Sequence, residues 1–374
     1  MKKSEAVFIL MKFISPAYNE RDKLLKLLDR VKDEWEVLIS LSNRYLLVPV
    51  LYLSLKEKNL YDKLEDKMLQ EYLYEIYRLN KERNEGIVLQ LEEICDILSS
   101  IKITPLLLKG SAALSEGYFG DNAKRSMVDI DILVPASKIF KAIDILKEFG
   151  YKEIDPTAKL GKGWHHYRRL YRAERTTSLE VHRKITNYRA LKYMSDFKWE
   201  LHTKDSSLIK DAKVLEPTYE FFYTFLHSEI AHDYHELIIS LRHLHHGAVL
   251  LHRYRDEIDF KRVEEYIEKY NLHKIWYEYL WILKRFFLVK IPFETPAMQT
   301  YERQVCKNID SEGGYLWAVK MFLRRFRHAF RFDTLQQRYK NLRYRYQLLY
   351  YIPIRFIHLS FKKTSDKLIT TLNT

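Results

Sequence analysis

The 374-residue chain has few cysteines, glycines and prolines and no long apolar run. Its two cysteines, Cys95 and Cys306, cannot build a disulfide framework, and 10 glycines with 9 prolines exclude a collagen-like protein. No run of about 18 apolar residues occurs, which argues against a membrane-spanning helix. The opening segment MKKSEAVFILMKFISPAYNE contains an apolar run too short for a signal peptide. These absences predict a cytoplasmic protein.

Positive charge is concentrated near the end of the chain. Basic residues outnumber acidic residues by 63 to 50, a net charge of +13. Residues 315–363, named the basic region here, hold twelve Lys and Arg, interleaved with Tyr and Phe, against one acid, Asp333. This pattern fits a nucleic acid, bound by phosphate neutralisation and base stacking, or an anionic membrane surface, which would place the protein at the membrane periphery. It also fits a helix that packs its aromatic side chains on the core.

Apolar periodicity divides the chain into four regions. Hydrophobic residues make up 47% of the sequence, enough for one large core or two smaller ones. Spacing of three and four residues predicts helices early in the chain, short apolar runs predict strands after Lys102, and helical spacing returns at Glu216. The predicted regions are an N-terminal helical region at 1–100, an α/β core at 101–190, a helical domain at 191–300 and a basic, aromatic-rich helical region at 301–374.

The predicted core alternates strands with helices. ITPLLLKG predicts a buried strand, SAALSEGYF a helix, VDIDILV a second strand and ASKIFKAIDILKEFG a helix that stops at Gly150. Two more extended segments, WHHYRRLYR and TSLEVHRKI, follow. This order predicts an α+β fold with a small mixed sheet, flanked on both sides by mostly helical regions.

Two aspartates mark the second predicted strand. Asp129 and Asp131 are two residues apart, so their side chains point to the same face, while Ile130 and Ile132 point to the other. Adjacent carboxylates repel unless a cation or a raised pKa relieves them, and Mg²⁺ is a hard ion that prefers carboxylate, water and phosphate oxygens. The alternative is a solvated edge strand.

A possible phosphate site precedes these aspartates. Gly110 and Ser111 follow the first predicted strand and open a helix, where backbone N–H groups and the Ser111 hydroxyl could hold a phosphate. An ordinary strand-to-helix turn explains the same two residues. Lys109 and Arg125 flank the site in sequence and could pair with triphosphate oxygens, unless they are simply solvated.

A third acid lies on a later predicted strand. Glu180 and His182 share a face of TSLEVHRKI, and Glu180 could complete a cluster of three carboxylates around two metal ions. Two such ions can activate an attacking hydroxyl and stabilise the leaving oxygen in phosphoryl transfer. His182 could orient Glu180 or contact a substrate, or it could be a structural histidine.

A zinc site is a weaker alternative. Several histidines crowd the predicted helices around residues 227–246, but His227, His232 and His235 are five and three residues apart. This spacing does not match the i, i+4 pairs of helical zinc sites, so structural or surface histidines are the preferred interpretation.

Taken together, these elements resemble the nucleotidyltransferase-like proteins of the DNA polymerase β superfamily, in particular a bacterial group described as uncharacterised nucleotidyltransferase family proteins. That group combines a Lys-Gly stretch, a segment with Tyr, Asp, Arg and Met ahead of a DIDLLV strand, and an E-x-H strand. The resemblance covers roughly residues 30–290 and leaves the basic region outside. The matching residues are Lys109, Gly110, Ala113, Leu114, Tyr118, Asp121, Arg125, Met127, residues 129–134, Glu180 and His182.

The resemblance implies a polymerase β-like core that binds an NTP with Mg²⁺, or with Mn²⁺ as the alternative ion. Asp129, Asp131 and Glu180 would be both the metal ligands and the catalytic residues, with Glu180 activating the acceptor. The nucleotide would be held by Lys109, Gly110, Ser111, Arg125 and His182.

The predicted enzyme is a nucleotidyltransferase that moves a nucleoside monophosphate to a hydroxyl or phosphate on a small molecule, saccharide, protein or RNA and releases pyrophosphate. The alternative is a catalytically inactive protein with the same fold. Such a protein would bind nucleic acid or an anionic surface through its basic region.

Overall fold

Five α-helices precede the first strand, as the apolar spacing predicts. In this computed structural model, residues 1–158, 160, 164–187, 190, 193, 197–233 and 240–311 are described. The longest helix begins after Asp66, whose carboxylate accepts hydrogen bonds from the backbone N–H groups of Met68 and Leu69 and so caps the helix. The five are α1 (Lys3–Ile14), α2 (Arg21–Arg30), α3 (Trp35–Arg44), α4 (Val48–Glu57) and α5 (Lys67–Ser100).

A mixed sheet of short strands follows. Its strands are β1 (Leu106–Leu107), β2 (Asp129–Leu133), β3 (Lys152–Glu153), β4 (Leu170–Tyr171), β5 (Ser178–His182), β6 (Thr203–Asp205) and β7 (Lys213–Leu215). Within the described residues the spatial order is β3-β4-β5-β2-β1-β7-β6. β2 pairs parallel with β5 and antiparallel with β1. The two five-residue strands, β2 and β5, therefore lie side by side in the middle of the sheet.

One face of the sheet is covered by α5 and by α7 (Ile139–Glu148). Strand alternation sends Ile130 and Ile132 of β2, with Leu179 and Val181 of β5, into this layer. There they join a core of apolar side chains from both helices, which include Ile87, Leu91, Ile94, Leu98, Ile139, Ile143 and Leu146. The same alternation leaves the acidic residues of both strands on the opposite face.

The opposite face meets α6 (Lys109–Ser115) and the helices that follow the sheet. Leu106, Leu133 and Leu215 from this face belong to a second core, which continues into the N-terminal helices and the later helices. Those later elements are α8 (Pro217–Phe225), a π-helix (Leu226–Asp233), α9 (Leu241–Tyr254), α10 (Phe260–Lys269), α11 (His273–Phe286) and α12 (Gln299–Ser311).

The predicted fold class is confirmed: a small mixed sheet is flanked by helical regions. Three strands were not expected from the sequence, namely β3, β6 and β7, and the last two extend the sheet to Leu215, past residue 190. The segment WHHYRRLYR is mostly irregular and contributes β4 and one isolated bridge between His166 and His182. The boundaries of the four regions remain predictions.

The remaining predictions concern membranes and the basic region. None of the helices in the described part of the chain combines the length and the apolar character needed to cross a bilayer. The basic region, residues 315–363, lies outside the described residues.

Candidate active site

The register of β2 and β5 brings the predicted acids together. Asp131 lies directly beside Glu180, and Leu133 beside His182. Because the side chains of paired residues in register share a face, Asp129, Asp131, Glu180 and His182 all project from the same side of the sheet. We call Asp129, Asp131 and Glu180 the carboxylate cluster.

Asp131 is buried, and one of its carboxylate oxygens is engaged by two neighbours. Its side chain is 4% exposed, and its Oδ1 accepts hydrogen bonds from Lys109 Nζ at 2.7 Å and from His182 Nε2 at 2.8 Å. Its backbone N–H donates to Ser111 Oγ at 3.0 Å. Helix α6 therefore supplies two of the contacts that fix Asp131, one through a cation and one through a hydroxyl.

Glu180 is held by an arginine that the sequence analysis did not single out. Arg169, the residue before β4, donates to Glu180 Oε1 from Nη2 at 2.7 Å and from Nε at 3.1 Å. The same Nη2 lies 3.3 Å from Asp129 Oδ2. Arg169 therefore bridges two members of the carboxylate cluster. The sequence signal was present but ambiguous, since WHHYRRLYR offers several basic residues and only strand pairing selects Arg169.

The two aspartates have opposite electrostatic environments. Burial alone would raise the pKa of Asp131, but the charges of Lys109 and His182 and their hydrogen bonds outweigh burial and hold that pKa below its usual range. Burial, followed by the charges of Asp131 and Glu180, raises the pKa of Asp129 to about 6. Asp131 thus stays ionised at any ordinary pH, whereas Asp129 gains a proton in mildly acidic solution.

Helix α6 begins at Lys109, two residues before the predicted helical segment SAALSEGYF. A Cβ at Gly110 would overlap Met127 Sδ, so the flexible Met127 side chain would have to move to accommodate a larger residue there. Ser111 is fully buried, and its hydroxyl oxygen already accepts from Asp131. The structure thus places Lys109, Gly110 and Ser111 beside the carboxylate cluster, with Ser111 fixing the strand that carries Asp131.

The donor set fits a divalent cation. Ligand atoms of Asp131, Glu180 and His182 lie within 4.8 Å of one another, and all three residues are buried. Asp129 is not part of that group, although Arg169 links it to Glu180. Two carboxylates and an imidazole, with a third carboxylate nearby, are a donor set that can hold a divalent metal ion. The metal-ligating arrangement found among the described residues contains none of the histidines of residues 227–246.

Arg125 lies beside α6 but is enclosed by a second polar group. The loop before β2 is fixed by α5, where Asn84 Nδ2 donates to the carbonyl oxygen of Arg125 at 2.6 Å. The Arg125 side chain is buried, and its Nε has no hydrogen-bond partner among the described residues. Burial, and then the charge of Arg242, lowers the pKa of Arg125 to about 9.

Three buried side chains from the later helices accompany Arg125. Glu220 and Tyr223 come from α8 and His246 from α9, and within the described residues Glu220 Oε1 and Oε2, Tyr223 Oη and His246 Nε2 have no hydrogen-bond partner. Arg125, Tyr223 and His246, together with Lys109, line a cavity of about 10 Å³. We call Arg125, Glu220, Tyr223 and His246 the inner cluster. Burial raises the pKa of Glu220 to about 8.

A small mixed sheet that presents a D-x-D strand beside a strand acid, next to a helix opening with Lys-Gly-Ser, is the arrangement that the resemblance to nucleotidyltransferases implies. Comparison with protein families agrees: the model described as "Uncharacterised nucleotidyltransferase" matches residues 32–288, more than half of the chain. The protein belongs to this family, which confirms the resemblance stated from the sequence. No curated protein and no solved structure matches the chain.

Proposed function

We propose that the protein transfers a nucleoside monophosphate from an NTP to a hydroxyl or phosphate group of an acceptor, with a divalent metal ion, Mg²⁺ or Mn²⁺. The observation that carries the proposal is the in-register pairing of β2 with β5, which places Asp131 beside Glu180 with Asp129 on the same face. Membership of the nucleotidyltransferase family supports it. The acceptor is left open.

The proposed reaction exchanges one P–O bond for another. An acceptor oxygen attacks the α-phosphorus, the bond from that phosphorus to the bridging oxygen breaks, and pyrophosphate leaves. Bound between Asp129, Asp131 and Glu180, the ion would neutralise charge on the phosphates. Glu180 is the proposed base for the acceptor proton, because Arg169 engages its Oε1 and leaves Oε2 to accept.

The proposed nucleotide contacts are those that surround α6. Arg125, buried beside α6, adds a positive charge near the proposed phosphate site. Ser111 can still donate its own hydroxyl proton, and Gly110, which has no side chain, can contribute only backbone. Lys109 and His182 reach the nucleotide through Asp131, to which both donate.

Label transfer tests the reaction directly. The protein is incubated with Mg²⁺, a cell extract as the source of acceptor, and an NTP labelled at either the α- or the γ-phosphorus. Relative to the same extract without the protein, we expect the α label to move to a new product and the γ label to leave as pyrophosphate. Asp129→Asn/Asp131→Asn should move neither label, while Asp144→Asn on the exposed side of α7 should behave as wild type. Transfer of the γ label that depends on the added protein, or no protein-dependent transfer of either label, contradicts the proposal.

A second candidate function rests on the same cluster. Because Lys109 and Arg169 already pair with Asp131 and Glu180, the fold could serve as a scaffold without catalysis, with the basic region as the binding surface. In that case salt-sensitive binding to nucleic acid or to anionic vesicles survives Asp129→Asn/Asp131→Asn and disappears when residues 315–363 are deleted. Loss of such binding in the double variant contradicts this second candidate.

A further inference from the structure

The carboxylate cluster contains two positive charges from the chain itself. Lys109 Nζ lies 2.7 Å from Asp131, and Arg169 Nη2 lies 2.7 Å from Glu180. Three carboxylates against one ammonium and one guanidinium leave a single net negative charge when all are ionised. One divalent cation is enough to reverse that charge, and a second would add strong repulsion in a site that is mostly buried.

Lys109 is built into the site by the backbone. It is the first residue of α6 and has a φ of +54°, in the left-handed region that is unfavourable for residues other than glycine. Its side chain is only 23% exposed. A disfavoured conformation that buries an ammonium group persists only when other contacts determine it, and the contact here is Asp131. Lys109 is therefore a fixed part of the cluster.

The carboxylate oxygens that remain available define one binding position. Lys109 and His182 occupy Oδ1 of Asp131, and Arg169 contacts Oε1 of Glu180 and Oδ2 of Asp129. In the described part of the chain, the second oxygen of each of these carboxylates accepts no hydrogen bond, although Glu180 Oε2 lies 3.6 Å from His182 Nε2 and 4.0 Å from His166 Nε2. Ligand atoms of Asp131, Glu180 and His182 lie within 4.8 Å of one another, a sufficient donor set for one divalent ion completed by water or phosphate.

A cluster of three carboxylates can hold two divalent ions. We propose that in this chain the Lys109 ammonium takes the place of one of them, so that the chain binds a single divalent cation. The ion binds through Asp131 and Glu180, with Asp129 nearby, and the Lys109 ammonium takes the second position on Asp131. This proposal rests on the proposed function, since it concerns the same site. It assigns Lys109 a role that is distinct from contact with a phosphate.

Counting bound ions tests the proposal without any measurement of activity. Mn²⁺ is titrated into the full chain without nucleotide, and the free ion is quantified by its electron paramagnetic resonance signal. We expect one ion per wild-type chain and two ions per chain of Lys109→Gln, which keeps a hydrogen-bond donor beside Asp131 but removes the charge. Lys109→Arg, which keeps the charge, should bind one. Lys141→Gln, on the exposed side of α7, is the matched control and should also bind one.

Two ions in the wild type, no ion in the wild type, or one ion in Lys109→Gln would each overturn the proposal. If Lys109→Gln does not fold, Lys109→Met replaces it. Two ions bound to the wild-type chain would contradict the proposal whether or not either variant folds. The number of bound ions is measured without nucleotide, whereas the proposed function is tested separately by calorimetry of NTP binding. A single-ion count with no NTP binding would keep this inference and discard the transferase.

Discussion

Two buried polar clusters lie side by side in this protein, and they differ in whether their polar groups have hydrogen-bond partners. In the carboxylate cluster, Asp131 and Glu180 each accept hydrogen bonds from a cationic side chain. In the inner cluster, the polar atoms of Glu220 and Tyr223 have no partner among the described residues. A buried polar atom without a partner costs about 1–3 kcal/mol, whereas a paired one is close to neutral. The carboxylate cluster is therefore assembled in advance, and the inner cluster lowers the stability of the fold.

The largest expected effect comes from breaking the paired cluster. Asp131→Asn removes the charge that Lys109 and His182 share, and removing one partner of a buried pair costs about 3–5 kcal/mol. We expect the free energy of unfolding, measured with urea, to fall by about 3 kcal/mol while the circular dichroism spectrum of the variant stays native. A loss as small as that of the surface variant Asp144→Asn would show that the pairing contributes nothing.

A second prediction concerns the inner cluster and pH. Burial raises the pKa of Glu220 from 4.5 in the unfolded chain to about 8, so the folded protein binds an extra proton between these values. Stability is therefore full below pH 4.5 and is lost as the pH rises towards 8. Glu220→Gln should remove this loss. The difference in the free energy of unfolding between the variant and the wild type, measured with urea, should be about 2–4 kcal/mol more favourable to the variant at pH 8 than at pH 5.

The same relation between pKa and stability predicts opposite effects for the two aspartates of the carboxylate cluster. The pKa of Asp129 is raised from 3.8 to about 6, so its contribution to stability is lost as the pH rises through that window. At pH 8, Asp129→Asn should therefore stabilise the protein by about 1–2 kcal/mol, opposite in sign to Asp131→Asn. If both substitutions destabilise equally, the two aspartates do not have the different environments described above.

The smallest expected effect is the difference in stability between variants of two buried tyrosines. Tyr223 Oη has no hydrogen-bond partner among the described residues, whereas Tyr167 Oη donates to Glu153 Oε1 at 2.7 Å. Tyr223→Phe should leave the melting temperature unchanged or raise it, and Tyr167→Phe should destabilise by about 1 kcal/mol. The reverse order would mean that the Tyr223 hydroxyl is satisfied, so that the inner cluster does not differ from the carboxylate cluster.

The sequence predicted the strands that carry chemistry better than the rest of the sheet. Asp129 and Asp131 alternate with isoleucines over five residues, which is long enough to reveal a two-residue period and a buried face. β3, β6 and β7 have only two or three residues each, so no periodicity distinguishes them from loops. Short strands of this kind are specified by their partners in the sheet and not by their own pattern.

The residues that lie near the site were also easier to predict from the sequence than their side-chain contacts. The sequence identified Lys109 and Ser111 as neighbours of a site, yet their contacts with Asp131 depend on where α6 packs against β2. Arg169 was missed because its role follows from strand register, which brings β4 alongside β5. The inner cluster combines a loop residue with side chains about one hundred residues later, a proximity that the sequence pattern does not encode.

The most direct test of the account is calorimetric titration of each of the four NTPs, with Mg²⁺, into the wild-type protein and into Asp129→Asn/Asp131→Asn. The account predicts that at least one NTP binds the wild type only when the metal is present, and that the double variant loses this binding while Asp144→Asn retains it. Metal-dependent binding of equal strength in the double variant, or no binding of any NTP to the wild type, would contradict the assignment of the carboxylate cluster as the nucleotide site.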